Sequence, residues 1–311
     1  MATPRSQLVD PELALHYHLI SRCVRRSWLC GRDPQTGKNY NHRKTWLKSR
    51  LLHLAQYFAV EVDAYSILSN HFHLVVFHDP KACERWSVEE VAYRWSEAFP
   101  SRSLTGQPED IEALKAIQRD LLMAHPDLIA RARKCLGSMS GFMKHLKQPI
   151  AWRANREDGC RGHFFESRFY SGALLGEEAV LAAMAYVDLN PVRAKIAKSI
   201  EECRDSSISQ RLKMMTNSRE RLEEVLKPLV SGLSTGESNV ENPRISMTLK
   251  TYVDHLRILI DNTTAQNDKQ RVWINHVATI KKRQRAYGFA TELKHWIDRR
   301  GWKHLGVPLI G

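Results

Sequence analysis

Apolar and polar positions alternate from Leu13 to Cys23 (LALHYHLISRC), the period of a half-buried strand. The polar GRDPQTGKN that follows is a loop, and then Trp46, Leu47, Leu51, Leu54 and Phe58 form the apolar stripe of a helix within 41–58. Val60, Val62 and Ala64, followed by the apolar stretch Leu74–Phe77, predict two β-segments about a turn near Ser69-Asn70, ended by Asp79-Pro80. A helix is expected over 87–98, where Ser87 and Glu90 have capping-box spacing. The polar stretch 100–130, with helix-start signals at Pro108 and Pro126, reads as an insertion. Phe142, Met143, Leu146 and Ile150 predict a helix over 138–154, and 163–175 (HFFESRFYSGALL) is β-like. An apolar helix opens at 177 with Glu177 and Glu178 in its first turn, where the helix dipole favours them. Pro191 should end, kink or restart it.

Residues 231–247 turn polar and rich in Gly, Ser and Asn, the composition of a linker. Beyond it Leu249, Tyr252, Val253, Leu256, Leu259 and Ile260 recur at helical spacing, and a basic tail follows with KKRQR at 281–285. The order strand–helix–strand–strand–helix–insertion–strand–helix predicts an α+β fold, one antiparallel sheet with helices on one face. The expected organisation is a domain over 1–205 with an insertion near 100–130, a helix and linker over 206–247, and a basic helical region over 248–311, which suits a solvated helix face and an accessory DNA-binding surface about equally.

With 311 residues and 43% hydrophobic composition, the chain has enough apolar surface for a sizeable core. It has no apolar run of membrane-spanning length and no signal-peptide pattern after Met1, so a cytoplasmic protein without a membrane partner is expected. Its six cysteines include no C-x-x-C pair, which favours free thiols in a reducing compartment over disulfides or a cysteine zinc site. The net charge of +13 points to a polyanionic partner, nucleic acid above all.

Two short stretches carry candidate chemistry. His71 and His73, two apart on a strand, project from the same face while Phe72 enters the opposite layer. Paired imidazoles bind divalent metals, but H-x-H alone does not separate a metal site from two ordinary strand histidines. His16 and His18 repeat the spacing and are read as ordinary, or at most as supports beside the site. In YVDLNP, Tyr186 and Asn190 share a helix face, while Asp188 points nearly the other way. That pair alone reads better as boundary residues, with Asn190 capping the helix before Pro191.

Together, SNHFHLVV (69–76) and YVDLNPVRA (186–194), with RFYSGALL (168–175) ahead of the second, resemble the single-tyrosine HUH transposases. The REP-associated tyrosine transposases of bacteria and their relatives are the nearest pattern. The resemblance spans roughly residues 13–200; the 100–130 insertion and everything after about 205 have no counterpart in it. It implies a ferredoxin-like or RRM-like sheet, His71 and His73 as metal ligands, Asn190 as third ligand and Tyr186 as nucleophile. It also implies Mg²⁺ or Mn²⁺ as cofactor, a 5′-phosphotyrosine intermediate, and a monomer or homodimer associated with the nucleoid. The implied substrate is single-stranded DNA, in hairpin or palindromic repeat elements. A basic groove with aromatic platforms suits such a substrate, and Arg168, Phe169, Tyr170, Trp152, Arg153 and Arg193 are its candidates, although Phe169 equally suits a core and Arg193 a helix cap. Tyr170 is a rival nucleophile, set aside because a strand tyrosine lacks a polar partner one helical turn away. Two other readings stand: a non-catalytic nucleic-acid-binding protein on the same fold, and a metal phosphodiesterase that uses water. GRDPQTGKN is not a P-loop, since five residues separate its glycines and Asn39 stands where Ser or Thr should bind magnesium.

Overall fold

The alternating segments form three eight-residue strands, β1 (Leu15–Arg22), β2 (Val60–Ile67) and β3 (His71–His78), joined by a shorter β4 (Tyr170–Leu174). The computed structural model describes residues 8–24, 27–101, 108–217, 226–233, 245–260, 274–275, 277–280 and 284–302. Of the segments singled out above, Lys281, Lys282 and Arg283 and most of the linker lie outside the described residues. β3 pairs antiparallel with β1 and β2, and β1 with β4, giving the central order β2–β3–β1–β4. Between β1 and β2 runs α1 (His42–Leu54). Between β3 and β4 run α2 (Val88–Ala98), α3 (Pro108–Met123), α4 (Pro126–Leu136) and α5 (Met139–Glu157). This is the β-α-β-β-α-β order of a ferredoxin-like sheet, and the fold class is α+β as expected.

The local signals explain the boundaries. Ser87 Oγ accepts the Glu90 amide at 3.1 Å, capping α2. α3 and α4 begin at Pro108 and Pro126, where proline has no amide to waste on an unmade helical bond.

The structure departs from expectation in two respects. The sheet is mixed, because a short β6 (Ala286–Tyr287) pairs parallel to β4, while β5 (Val230–Ser231) extends the other edge antiparallel to β2. Helices also cover both faces rather than one. Tyr17, Leu19, Phe72, Leu74 and Val76 pack with Leu47 and Leu51 of α1 and Phe142 and Leu146 of α5. On the opposite face Ala64, Val75 and Leu174 pack under α6 (Gly176–Asp188), together with Tyr252, Val253 and Leu256 of α9 (Leu249–Ile260). The reason lies in α6 itself: every residue from Ala179 to Ala185 is buried, and a helix apolar all round must be covered on all sides. Sheet and α9 supply that cover, so residues beyond 205 add helices, two strands and core contacts to the same sheet. No helix among the described residues is long and apolar enough to cross a membrane.

A register shift between Val62 and Ala64 places Asp63 at a bulge in β2. There its Oδ2 lies 3.4 Å from His16 Nε2, both side chains buried. Burial lowers the His16 pKa from 6.5 to about 3 and, with Glu61 adding to it, raises that of Asp63 from 3.8 to about 8. The folded pair therefore holds one proton across that whole interval, whichever partner carries it. The unfolded pair holds two protons below the ordinary Asp63 value, one between the two ordinary values and none above that of His16. Stability should rise with pH through the acid limb, where His16 resists protonation. It should be level between the two ordinary values, where the opposing slopes cancel. It should then fall as pH rises toward the folded Asp63 value, by up to ~1.4 kcal/mol per pH unit. Urea midpoints should show wild type losing about 1–2 kcal/mol over that last limb, relative to a His16→Gln/Asp63→Asn double variant. Parallel curves for the two proteins would refute the shared proton.

Candidate active site

The site forms on the sheet face beneath α6. His71 and His73 project from that face of β3 with ring centroids 5.0 Å apart, while Phe72 turns into the opposite core. Each ring has its Nδ1 engaged inside the protein: His71 Nδ1 with Asn70 Oδ1 at 2.6 Å, and His73 Nδ1 with His18 Nε2 at 2.9 Å. His18 comes from β1, the strand between β3 and β4, and its ring stacks on His73 at 5.1 Å.

α6 delivers the phenol. After β4 the chain turns at Gly176 with φ +79°, a left-handed conformation that favours glycine, and a Cβ there would run into the Glu292 carboxylate. The helix then crosses the sheet and sets the half-buried Tyr186 ring edge-on, 5.7 Å from His73 and 5.9 Å from His18. Both imidazoles and the phenol belong to one chain. α6 ends at Asp188 and the chain restarts as a single turn, α7 (Asn190–Arg193), with Pro191 in its first positions. Restart is thus the outcome that Pro191 imposes. Arg193 lies with its guanidinium carbon 5.0 Å from the Tyr186 ring centroid. Asn190 is buried, and its amide nitrogen has no hydrogen-bond partner.

The remaining candidates divide. Tyr170 stands 6.4 Å from His18, ring to ring. It does have polar partners, since its hydroxyl donates to the Gln284 carbonyl and lies 2.9 Å from Tyr287 Oη. Its proton is thereby committed, a firmer reason to set it aside as nucleophile than the one the sequence supplied. Phe169 is corrected: it is buried in the core of the opposite face and presents no ring for a base to stack on. Parity along β4 decides this, because 170 and 172 face the site and 169 does not. Arg168 is exposed just before the strand. Trp152 is 65% exposed on α5, in the other helix layer, and Arg153 beside it stacks on Trp46 at 3.6 Å.

Sequence reasoning allowed His18 at most a supporting place beside the site and gave Asp188 no role. His18 lies against His73, and the signal was present: two H-x-H pairs on strands that turn out to be neighbours. Asp188 is a buried anchor. Its Oδ1 accepts from the Ser207 hydroxyl and, at 2.8 Å, from the Ile208 amide, and its Oδ2 accepts from the Tyr252 hydroxyl at 2.8 Å. It thereby ties the end of α6 to the start of α8 (Ser207–Asn217) and to α9.

No cluster of three or more His, Cys, Asp or Glu able to hold a metal occurs among the described residues. What the motif residues offer instead is two imidazoles with their Nδ1 atoms occupied and, in the buried Asn190, an amide whose oxygen is the atom of a type that ligates, a mixed nitrogen and oxygen donor set suited to a divalent cation. No family model matches this sequence, and no curated protein matches it. A solved structure described as a REP-associated tyrosine transposase bound to a REP hairpin is similar to this chain, at 11% identity and a TM-score of 0.40, over 78% of this chain and 97% of that one.

Proposed function

We propose that this chain is a metal-dependent endonuclease and strand transferase acting on single-stranded DNA, with Tyr186 as nucleophile. The observation that carries the reading is the approach, within one chain, of the Tyr186 ring to the His73 and His18 rings at 5.7 and 5.9 Å. A net charge of +13 supports a nucleic-acid substrate.

In the proposed reaction the Tyr186 oxygen attacks a backbone phosphorus and the bond from phosphorus to the 3′-oxygen breaks. The phenolic proton passes to solvent, the departing 3′-oxygen takes up a proton, and the 5′-phosphate remains esterified to Tyr186. Attack by another 3′-hydroxyl reverses these changes and rejoins the strands. One phosphodiester replaces another, so no nucleotide hydrolysis is required. Arg193, against the Tyr186 ring, is placed to stabilise negative charge developing on the phenol oxygen and the phosphate. His71 and His73, with Asn190, would hold the cation, Mg²⁺ or Mn²⁺. When bound, it neutralises charge on the phosphate oxygens and orients the group for in-line attack. Recognition of a hairpin or palindromic element falls to exposed groups such as Arg168 and Trp152. A monomer suffices for the chemistry, because one chain supplies the phenol and the imidazoles.

The test is incubation with single-stranded oligonucleotides and Mn²⁺, followed by proteolysis and mass spectrometry of any covalent adduct. The proposal expects a 5′-phosphorylated Tyr186. Cleavage without an adduct would indicate a phosphodiesterase that uses water, and a mobility shift without cleavage a binding protein; either result defeats it. His71→Ala and His73→Ala should each lower cleavage on the order of 10²–10³-fold, the scale of a lost metal contribution. DNA binding should persist in part, because backbone contacts from many Lys and Arg residues supply it. Near-normal cleavage by the double variant would remove the metal assignment.

A further inference from the structure

We propose that His18 is the positioning residue of this site, fixing the ring orientation and tautomer of His73 so that His73 Nε2 is its metal-binding atom. The inference rests on the reading of His71 and His73 as ligands and extends it to a strand outside either motif.

The sheet register makes the contact specific. Ile20 is the residue opposite His73 and Val75 the residue opposite His18, so the two histidines meet diagonally across β1 and β3. Diagonal neighbours touch only through long or aromatic side chains, and here the rings both stack, 18° from parallel, and come within hydrogen-bonding distance at 2.9 Å. On its other side His18 faces Gly172 of β4. A Cβ at Gly172 would lie 2.7 Å from each of Tyr170 Oη, Tyr287 and the Gln284 carbonyl. The glycine leaves that space to Tyr170, whose ring closes over His18 edge-on. His18 is consequently held between His73, Tyr170 and Tyr186, fully buried.

An isolated core imidazole would cost free energy to desolvate without return. One hydrogen bond joins these two rings, and it contains one proton. If His73 Nδ1 donates it, the neutral His73 ring carries its lone pair on Nε2, and His18, accepting at Nε2, carries its own proton on Nδ1. Ligating histidines elsewhere are oriented in this way by a partner on the other ring nitrogen, and Asn70 Oδ1 makes the equivalent contact with His71. The two imidazoles of H-x-H would then be set by different groups: an adjacent asparagine for one and a neighbouring strand for the other.

Two measurements on the DNA-free protein test this. Nitrogen-15 NMR of wild type should find His73 protonated at Nδ1; protonation at Nε2 overturns the proposal without any variant. Calorimetric titration with Mn²⁺ should show His18→Ala binding about 10–100-fold more weakly than wild type, the range for loss of such a partner. His18→Gln, whose amide oxygen can accept from His73 Nδ1, should recover much of the loss, which a purely structural role would not produce. Equal Mn²⁺ affinity for wild type and His18→Ala overturns the positioning role while leaving the metal reading intact. Absence of Mn²⁺ binding in wild type defeats the metal reading itself, and the proposal with it.

Discussion

Tyr186→Phe should abolish the covalent DNA adduct while leaving the fold and DNA affinity nearly unchanged. The substitution removes one oxygen and keeps the ring that packs edge-on against His73 and His18 and under Arg193. Loss of a nucleophile, unlike loss of a helper, removes the covalent route itself, so the adduct rate should fall by on the order of 10⁴-fold or more, below detection on a gel. Because Tyr186 is only half-buried, the melting temperature should stay within about 2 °C of wild type. Tyr170→Phe is the matched control. It deletes a hydroxyl bound to Gln284 and Tyr287, which should cost about 1 kcal/mol of stability at the seam between β4 and β6 and leave adduct formation standing. The reversed result, with an adduct in Tyr186→Phe and none in Tyr170→Phe, would transfer the nucleophile to the strand.

The contrast between these tyrosines marks what was legible in the sequence. Strand parity around His71-Phe72-His73 and the one-turn spacing of Tyr186 and Asn190 are local, and local periodicity carried the three long strands, the cap at Ser87 and the helix starts at Pro108 and Pro126. The succession of elements pointed to an α+β fold and the family resemblance to a ferredoxin-like sheet, while the β2–β3–β1–β4 order itself comes from the structure. Long-range pairing was not legible. Nothing in residues 13–23 says that His18 lies diagonal to His73, because that depends on which strands become neighbours and in what register. The second covered face had a local sign, the unbroken apolar run of α6, but what covers it comes from residues some sixty positions away. Asp188 shows the same limit: helix geometry correctly turned it away from Tyr186, yet its partners Ser207 and Tyr252 lie where no family pattern reached.

Asp188→Ala should lower unfolding stability by about 2–4 kcal/mol, the largest effect on folding expected of any substitution considered. The carboxylate is fully buried and receives three donors, from Ser207, Ile208 and Tyr252. Alanine leaves a cavity and deprives all three. The Ser207 hydroxyl has a second acceptor in the Tyr65 carbonyl at 3.1 Å, so the unrelieved loss falls on the Ile208 amide in the first turn of α8 and on the Tyr252 phenol. Each buried donor without a partner costs about 1–3 kcal/mol. Tyr252→Phe, which removes a donor and keeps the acceptor's other two partners, should cost only about 1 kcal/mol. Urea unfolding of the two variants and their combination measures the coupling directly: if Asp188 acts through Tyr252, the double variant is more stable than the sum of the single losses predicts. A loss below 1 kcal/mol in Asp188→Ala would show that the hydrogen bonds do not hold α6 in place. Activity supplies the link to the proposed function, because Asp188 sits two residues past Tyr186 on the opposite side of the same helix. Once the anchor is gone, the phenol is free to drift from the imidazoles. Adduct formation under folding conditions should then slow about tenfold or more, as expected when a reacting group loses its alignment by a fraction of an ångström. The residues beyond 205 would in that case act on the proposed chemistry by holding the helix that carries Tyr186.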